Sequence, residues 1–207
     1  LWEFIEEGAM SKQLHPGKAA MNGLIAALLA EKGFTGASKI LEGKRGFFEA
    51  MSEQYDVTKI TLDLGEKFKI TENSFKIHAS CRHTHHAIDM ILDILKDQHL
   101  QSDQVEQIRV KTYQVALNIT DNDQPTTVYA ARFSLQFCTA LAFIQKSAGL
   151  YDFNEDTLQD PSIRELMKKI EISLGPEINS AYPKKWGARV EVQLKSGDTI
   201  MRNTDYP

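Results

Sequence analysis

The sequence predicts an α+β protein. Its opening segment is patterned as helix, strands and helices alternate from about residue 57, and its last stretch reads as a β-hairpin. Pro16 and Gly17 open a strong helix, "GKAAMNGLIAALLAEKG". Its small residues Ala19, Ala20, Gly23, Ala26, Ala27 and Ala30 admit close approach of a second helix, and Gly33 ends it as a left-handed cap. A shorter helical stretch covers about Ser38 to Glu53, with "GKRG" as a turn inside it. "FKITENSFKIHAS" reads as an extended pair around Glu72–Asn73. Ile88, Ile91, Leu92 and Leu95 form a helical stripe from about His83 to Gln98, and "VEQIRVKTYQV" alternates as a strand with Val105, Ile108 and Val110 in register. After the loop "TDNDQP" a long helix runs from about Val128 to Ala148, and Pro161 opens another that ends near Lys169. "KIEISL" is a short strand, and "ARVEVQLKSGDTIMRNT" is a hairpin turning at Ser196–Gly197.

Composition narrows the function. The 207 residues are 42% hydrophobic and 25% charged, which is ordinary for a chain that buries a core. A formal charge of -4 with the signs interspersed gives no footprint for a nucleic-acid backbone. "GLIAALLA" is the longest apolar run and falls short of the roughly 20 residues that span a bilayer. "LWEFIEEGAMSK" lacks a basic n-region and a cleavage site, so a cytoplasmic protein is expected. Two cysteines are too few for a disulfide framework or an iron–sulfur cluster; Cys138, among apolar neighbours, reads as core. Leu1 begins inside a helical pattern and "MRNTDYP" follows a strand with nothing to close it, so a fragment is expected.

The chemistry concentrates in "SCRHTHHAID", residues 80–89. Cys81 and His85, or His85 and Asp89, would share a helix face as metal ligands, yet His83, His85 and His86 cannot all converge and no HExxH or CxxC supports them. The plainer reading is a polar helix start. A third reading rests on position, because the stretch lies where an extended segment becomes a helix, preceded by Lys76. Backbone N–H groups there, with Arg82 and an imidazole, would bind carboxylates, and the helix end would lower the thiol pKa of Cys81 toward neutrality. "SKQLHPGKAA" sets Lys12, His15 and Lys18 around a second helix start, again suited to carboxylates or simply solvated. "GFTG" at 33–36 is a helix cap with a turn.

Three stretches in series, "SKQLHPGKAAMNGLIAALLAEKGFTGASKILEGKRGFF", Lys76 with "SCRHTHHAID", and "ARFSLQF", resemble the MmgE/PrpD family from Trp2 to the end of the chain. The resemblance implies a helical domain whose last part is residues 1–56, followed by an α+β lid with an antiparallel sheet over residues 57–207, hinged near Val57 and Thr58. It implies a homodimer through the helical domain and no cofactor or metal. It also implies a small polycarboxylate substrate, in dehydration of 2-methylcitrate, decarboxylation of cis-aconitate or epimerisation of iminodisuccinate. The motif lysine and histidine of the first stretch fall on Lys12 and His15, and the lysine of the second on Lys76. Cys81 stands where decarboxylases have histidine, and "TDNDQP" offers no counterpart of their tyrosine, so a 2-methylcitrate dehydratase-like hydro-lyase is the expectation. The site residues implied are His83, His85, Cys81 and Lys12 for catalysis, and Arg82, Lys76 and His15 for substrate binding. The family's site also draws an Asp and a His from a part upstream of this chain, so the chain alone is expected to be inert. A non-catalytic carboxylate-binding module and a His/Cys zinc protein are the rival readings.

Overall fold

The computed structural model describes Phe4 and residues 9–207; the helical pattern read around Leu1 lies almost wholly outside them. The chain divides into two compact units, one over Gln13–Phe75 and a larger one made of Lys76–Pro207 with the N-terminal segment through Lys12.

Helix α1 spans Ser11–Glu31 and begins five residues before the Pro16 expected to open it. Pro16 therefore lies inside, where its missing N–H leaves one carbonyl of the first turn without its usual bond. The end is as anticipated: Gly33 has φ +85°, its N–H bonds to Ala30 at 2.9 Å and that of Phe34 to Leu29 at 3.0 Å, a Schellman closure. The helical stretch expected over Ser38–Glu53 shrinks to α2, Phe47–Met51, after a run of turns. At Gly46 a Cβ would meet the carbonyl oxygens of Leu41, Ile40 and Gly43 at 2.7–2.9 Å, so the chain doubles back too tightly there for any other residue. Helix α3, Thr58–Thr61, follows. The extended pair expected around Glu72–Asn73 is absent. Residues Lys69–Glu72 form a single 3₁₀ turn, held by Thr71 N–H to Phe68 and Asn73 N–H to Ile70. Alternating sequence makes a strand only against a neighbouring edge, and no described strand pairs with this segment.

In the larger unit, helix α4 (Arg82–Asp97) buries Ile88, Ile91, Ile94 and Leu95, close to the stripe read from the sequence. Strand β1 (Val105–Thr112) leads to α5 (Gln114–Thr120), α6 (Val128–Ala131), α7 (Leu135–Gln145), α8 (Glu155–Gln159) and α9 (Pro161–Met167). Strand β2 (Ile170–Leu174), helix α10 (Pro176–Ala181) and the hairpin of β3 (Ala188–Leu194) and β4 (Thr199–Thr204) complete it. The strand order is β2-β1-β3-β4, with β1–β2 parallel and the other pairs antiparallel. The α+β class holds, but the sheet is mixed: the helical crossover α5–α9 brings β2 back in the direction of β1, as a parallel pair requires. Helices α4 and α7 pack together over the sheet, α4 against β3 and β4 and α7 against β2. Ile108, Val110, Val190 and Val192 point into that layer and are fully buried. Gly197, at φ +96°, turns the hairpin where expected. Cys138 is fully enclosed in α7, and burial pushes its thiol up to about 12.

The single helix expected over Val128–Ala148 is two, broken at Arg132–Ser134 and ended by Lys146 at φ 56°. Ser134 makes the break: its hydroxyl accepts the Phe137 N–H at 2.9 Å as the cap of α7 and donates to the Asn122 carbonyl at 2.5 Å. Ser134→Ala removes both bonds and is expected to cost about 1–2 kcal/mol, read as a lowered urea midpoint with unchanged m-value. A midpoint within error of wild type would mean the break has another cause.

Candidate active site

Cys81 occupies the N-cap of α4. Its N–H donates to the Arg132 carbonyl at 2.8 Å, which stitches the "SCRHTHHAID" segment to "ARFSLQF". Its carbonyl accepts both the Thr84 N–H (2.9 Å) and the Thr84 hydroxyl (2.8 Å), and that hydroxyl lies 2.8 Å from the Ser80 hydroxyl. The helix start is thereby fixed without using the thiol.

Beside it opens a cavity of about 200 Å³ whose lining includes Lys12, Lys76, Cys81, Tyr129 and Arg132. The Lys12 ammonium stands 4.9 Å from the Phe133 ring centroid, and the Lys76 ammonium donates to the Ser80 carbonyl at 3.3 Å. The Arg132 guanidinium lies 5.5 Å from the Phe153 centroid, and its Nε is buried without a partner among the described residues. Among the described residues no carboxylate pairs with Lys12, Lys76 or Arg132. Three cations gathered without a described counter-ion suit an anion. Burial lowers the Lys76 pKa, helped by Lys12 and Arg82 and opposed by Cys81. The Cys81 thiol departs from expectation. Burial raises its pKa and outweighs the His83 backbone N–H and the two lysines, so it is protonated at neutral pH.

The three imidazoles diverge, as their helical spacing requires. His83 lies 2.6 Å through Nδ1 from the Tyr113 hydroxyl and stacks on Trp186 at 4.9 Å and 11°. His85 is buried with its ring 5.0 Å from that of His78, and its Nε2 has no partner among the described residues. His86 is enclosed, 3.4 Å from the Thr112 hydroxyl. Burial, then the Lys76 charge, lowers His83 to about 4. Burial, then His78, lowers His85 to about 4, and burial takes His86 to about 3. All three are neutral at pH 7. Among the described residues no three His, Cys, Asp or Glu side chains group as metal ligands.

The structure thus brings together Lys12, Lys76 and Cys81, sets Arg82 and His83 on the first turn of the same helix, and turns His85 inward. His15 lies on α1, in the Gln13–Phe75 unit. Sequence reasoning missed Arg132 and Tyr129, although "ARFSLQF" and the residues before it held them. It also missed Tyr113, Tyr182, Trp186 and the His78–Asp89 pair, whose Nε2–Oδ1 distance is 2.7 Å. No local pattern marks residues that meet from opposite ends of the unit.

The sequence profile of the MmgE/PrpD C-terminal domain matches residues 78–207, and that of the N-terminal domain residues 1–59. The chain belongs to the MmgE/PrpD family. Among its relatives, this MmgE/PrpD chain is 22% identical to the cis-aconitate decarboxylase of Aspergillus terreus, covering 97% of the chain and 44% of that protein. It is 25% identical to the cis-aconitate decarboxylase of Mus musculus, over 94% of the chain and 41% of the relative. It is 28% identical to the mitochondrial 2-methylcitrate dehydratase of Yarrowia lipolytica, over 92% and 38%. It therefore spans less than half the length of each of these relatives.

Proposed function

We propose that the protein is a metal-independent lyase of small polycarboxylates, dehydrating 2-methylcitrate or citrate to the corresponding aconitate. The observation that carries this reading is the cavity at the start of α4, where Lys12, Lys76 and Arg132 converge beside Cys81 with no paired carboxylate among the described residues. Cations and the helix N-terminus would hold the carboxylates, with Arg82 on the same turn. Dehydration takes a proton from the carbon beside a carboxylate and expels the neighbouring hydroxyl, protonated, as water; a carbon–carbon double bond forms. His83, His85 and Cys81 are the groups proposed for these transfers, the protonated thiol suiting the acid. Cys81 in place of a decarboxylase-type histidine supports dehydration over loss of CO₂. In the same reading residues 57–207 form a lid domain hinged near Val57 and Thr58, residues 1–56 are the last part of a helical domain that dimerises, and His15 is a substrate-binding residue.

A second reading, epimerisation of a dicarboxylate such as iminodisuccinate, draws on the same protonated thiol beside Lys76, since a proton must leave carbon and return on the other face. Chelator-treated full-length protein, not this chain alone, incubated with 2-methylcitrate and citrate is expected to produce the conjugated alkene, followed by ultraviolet absorbance and identified by NMR. No alkene, with deuterium exchange beside the carboxylate of a dicarboxylate, would replace dehydration with epimerisation. Lys12→Ala is expected to raise KM roughly tenfold with kcat little changed, because an exposed lysine binds substrate and transition state alike. An unchanged KM removes Lys12 from the site.

A further inference from the structure

His83 is tied to a group that no motif marks. Tyr113 is fully buried, and its hydroxyl lies 2.6 Å from His83 Nδ1. Tyr182 stacks on the Tyr113 ring at 4.4 Å and 15°, and Trp186 stacks on the His83 ring at 4.9 Å and 11°. Each ring is held in its plane by a neighbour on its face, so the direction of the second imidazole nitrogen is set. One question remains open to geometry: which nitrogen carries the proton.

The phenol answers it. A hydroxyl both donates and accepts, and among the described residues His83 Nδ1 is the hydrogen-bond partner of this one. If Nδ1 carried the proton, it would donate to the oxygen and the phenolic hydrogen would be left buried and unbonded. If the phenol donates to Nδ1, both atoms are satisfied. Leaving a buried donor unpaired biases the balance by roughly 5- to 150-fold. Burial, with Tyr182 and Cys81, raises the Tyr113 pKa well above the ordinary phenol value, so the hydroxyl keeps its proton throughout the working pH range.

We propose that Tyr113 is a positioning residue that locks His83 in the Nε2–H tautomer, so that His83 meets the substrate as a neutral hydrogen-bond donor and not as the base. The donor role rests on the polycarboxylate reading above; the tautomer does not. A neutral N–H at the start of α4 suits an oxygen that gains negative charge as the neighbouring carbon loses its proton. Of the groups proposed above for the proton transfers, His83 is then the hydrogen-bond donor, and proton abstraction falls to another group.

The test is a long-range ¹H–¹⁵N correlation spectrum of the histidine-labelled protein between pH 5.5 and 8, with His83 assigned by the cross-peaks lost in His83→Gln. The expected pattern is a protonated Nε2 and an unprotonated Nδ1 over the whole range. Tyr113→Phe keeps the ring and removes the hydroxyl; it is expected to give averaged tautomers. A protonated Nδ1 or an averaged pattern in the wild-type spectrum overturns the proposal, whether or not the variant folds. Addition of 2-methylcitrate or citrate is expected to shift the Nε2 proton downfield. If the tautomer pattern is present but saturating polycarboxylate leaves that proton unmoved, the tautomer stands and the donor role is overturned together with the polycarboxylate reading.

Discussion

Lowering the pH from 7 to 4 is expected to cost the 76–207 unit several kcal/mol of stability, with most of the loss between pH 6.5 and about 4. The reason is the set of imidazoles at the head of α4. His85 and His86 are held at about 4 and about 3 against the ordinary 6.5, in each case first by burial. Below 6.5 the unfolded chain takes up these protons while the folded one refuses them, so the unfolded state binds more and stability falls with pH. The contribution is fully present above 6.5 and is lost as the pH drops through the folded values. Each histidine gives a slope of up to about 1.4 kcal/mol per pH unit. His83 adds less, since its partly exposed ring is screened by solvent. Asp56 and Asp160, lowered by hydrogen bonds to Thr58 and Ser162, lose their contributions only below 3.8 and do not confuse the window. Urea midpoints at pH 8, 6.5, 5 and 4 check this, and His86→Gln should flatten the curve by about one proton. A midpoint constant from pH 7 down to 4.5 would mean that these rings are not buried neutral.

The way the sequence could and could not be read follows from the range of the forces involved. Helix α4, strand β1 and the hairpin at Gly197 were legible because each is written within a dozen residues: an apolar stripe, an alternation, a glycine at a positive φ. The region 68–77 misled because its alternation was real, but its pairing edge, which local sequence cannot supply, is absent among the described strands. The break at Arg132–Ser134 was hidden by helix-forming neighbours and made by one capping hydroxyl that also reaches the Asn122 carbonyl. At the site, the cluster at 80–89 and the lysines at 12 and 76 announced carboxylate chemistry. The thiol went the other way because the His83 backbone N–H and two lysines lose to desolvation at a partly buried sulfur, and burial is not written in the sequence. Tyr113 and Trp186 were invisible for a related reason: one follows β1 and the other precedes β3, and only the pairing of those strands brings both rings to His83.

Arg132→Lys is expected to lower kcat/KM for the polycarboxylate by about 10²- to 10³-fold, the largest effect among the three cavity cations. Lys12 is exposed and the Lys76 ammonium only partly buried, so the loss of either leaves the other cations able to adjust. Arg132 is held on several sides: its carbonyl is bound by the Cys81 N–H, its guanidinium sits over Phe153, and its Nε is buried with no partner among the described residues. An unpaired buried donor is costly, and a carboxylate of the substrate would satisfy it in the two-pronged way that only a guanidinium offers. Lysine keeps the charge and loses the fork, so the variant separates geometry from charge. The loss should fall mainly on KM if the contact is equal in ground and transition states, and on kcat if it tightens as charge develops. The urea midpoint should move little, because the backbone bond from Cys81 remains. Near-normal kcat/KM in Arg132→Lys would show that the site needs only positive charge there, and would leave the orphaned Nε as a feature of packing.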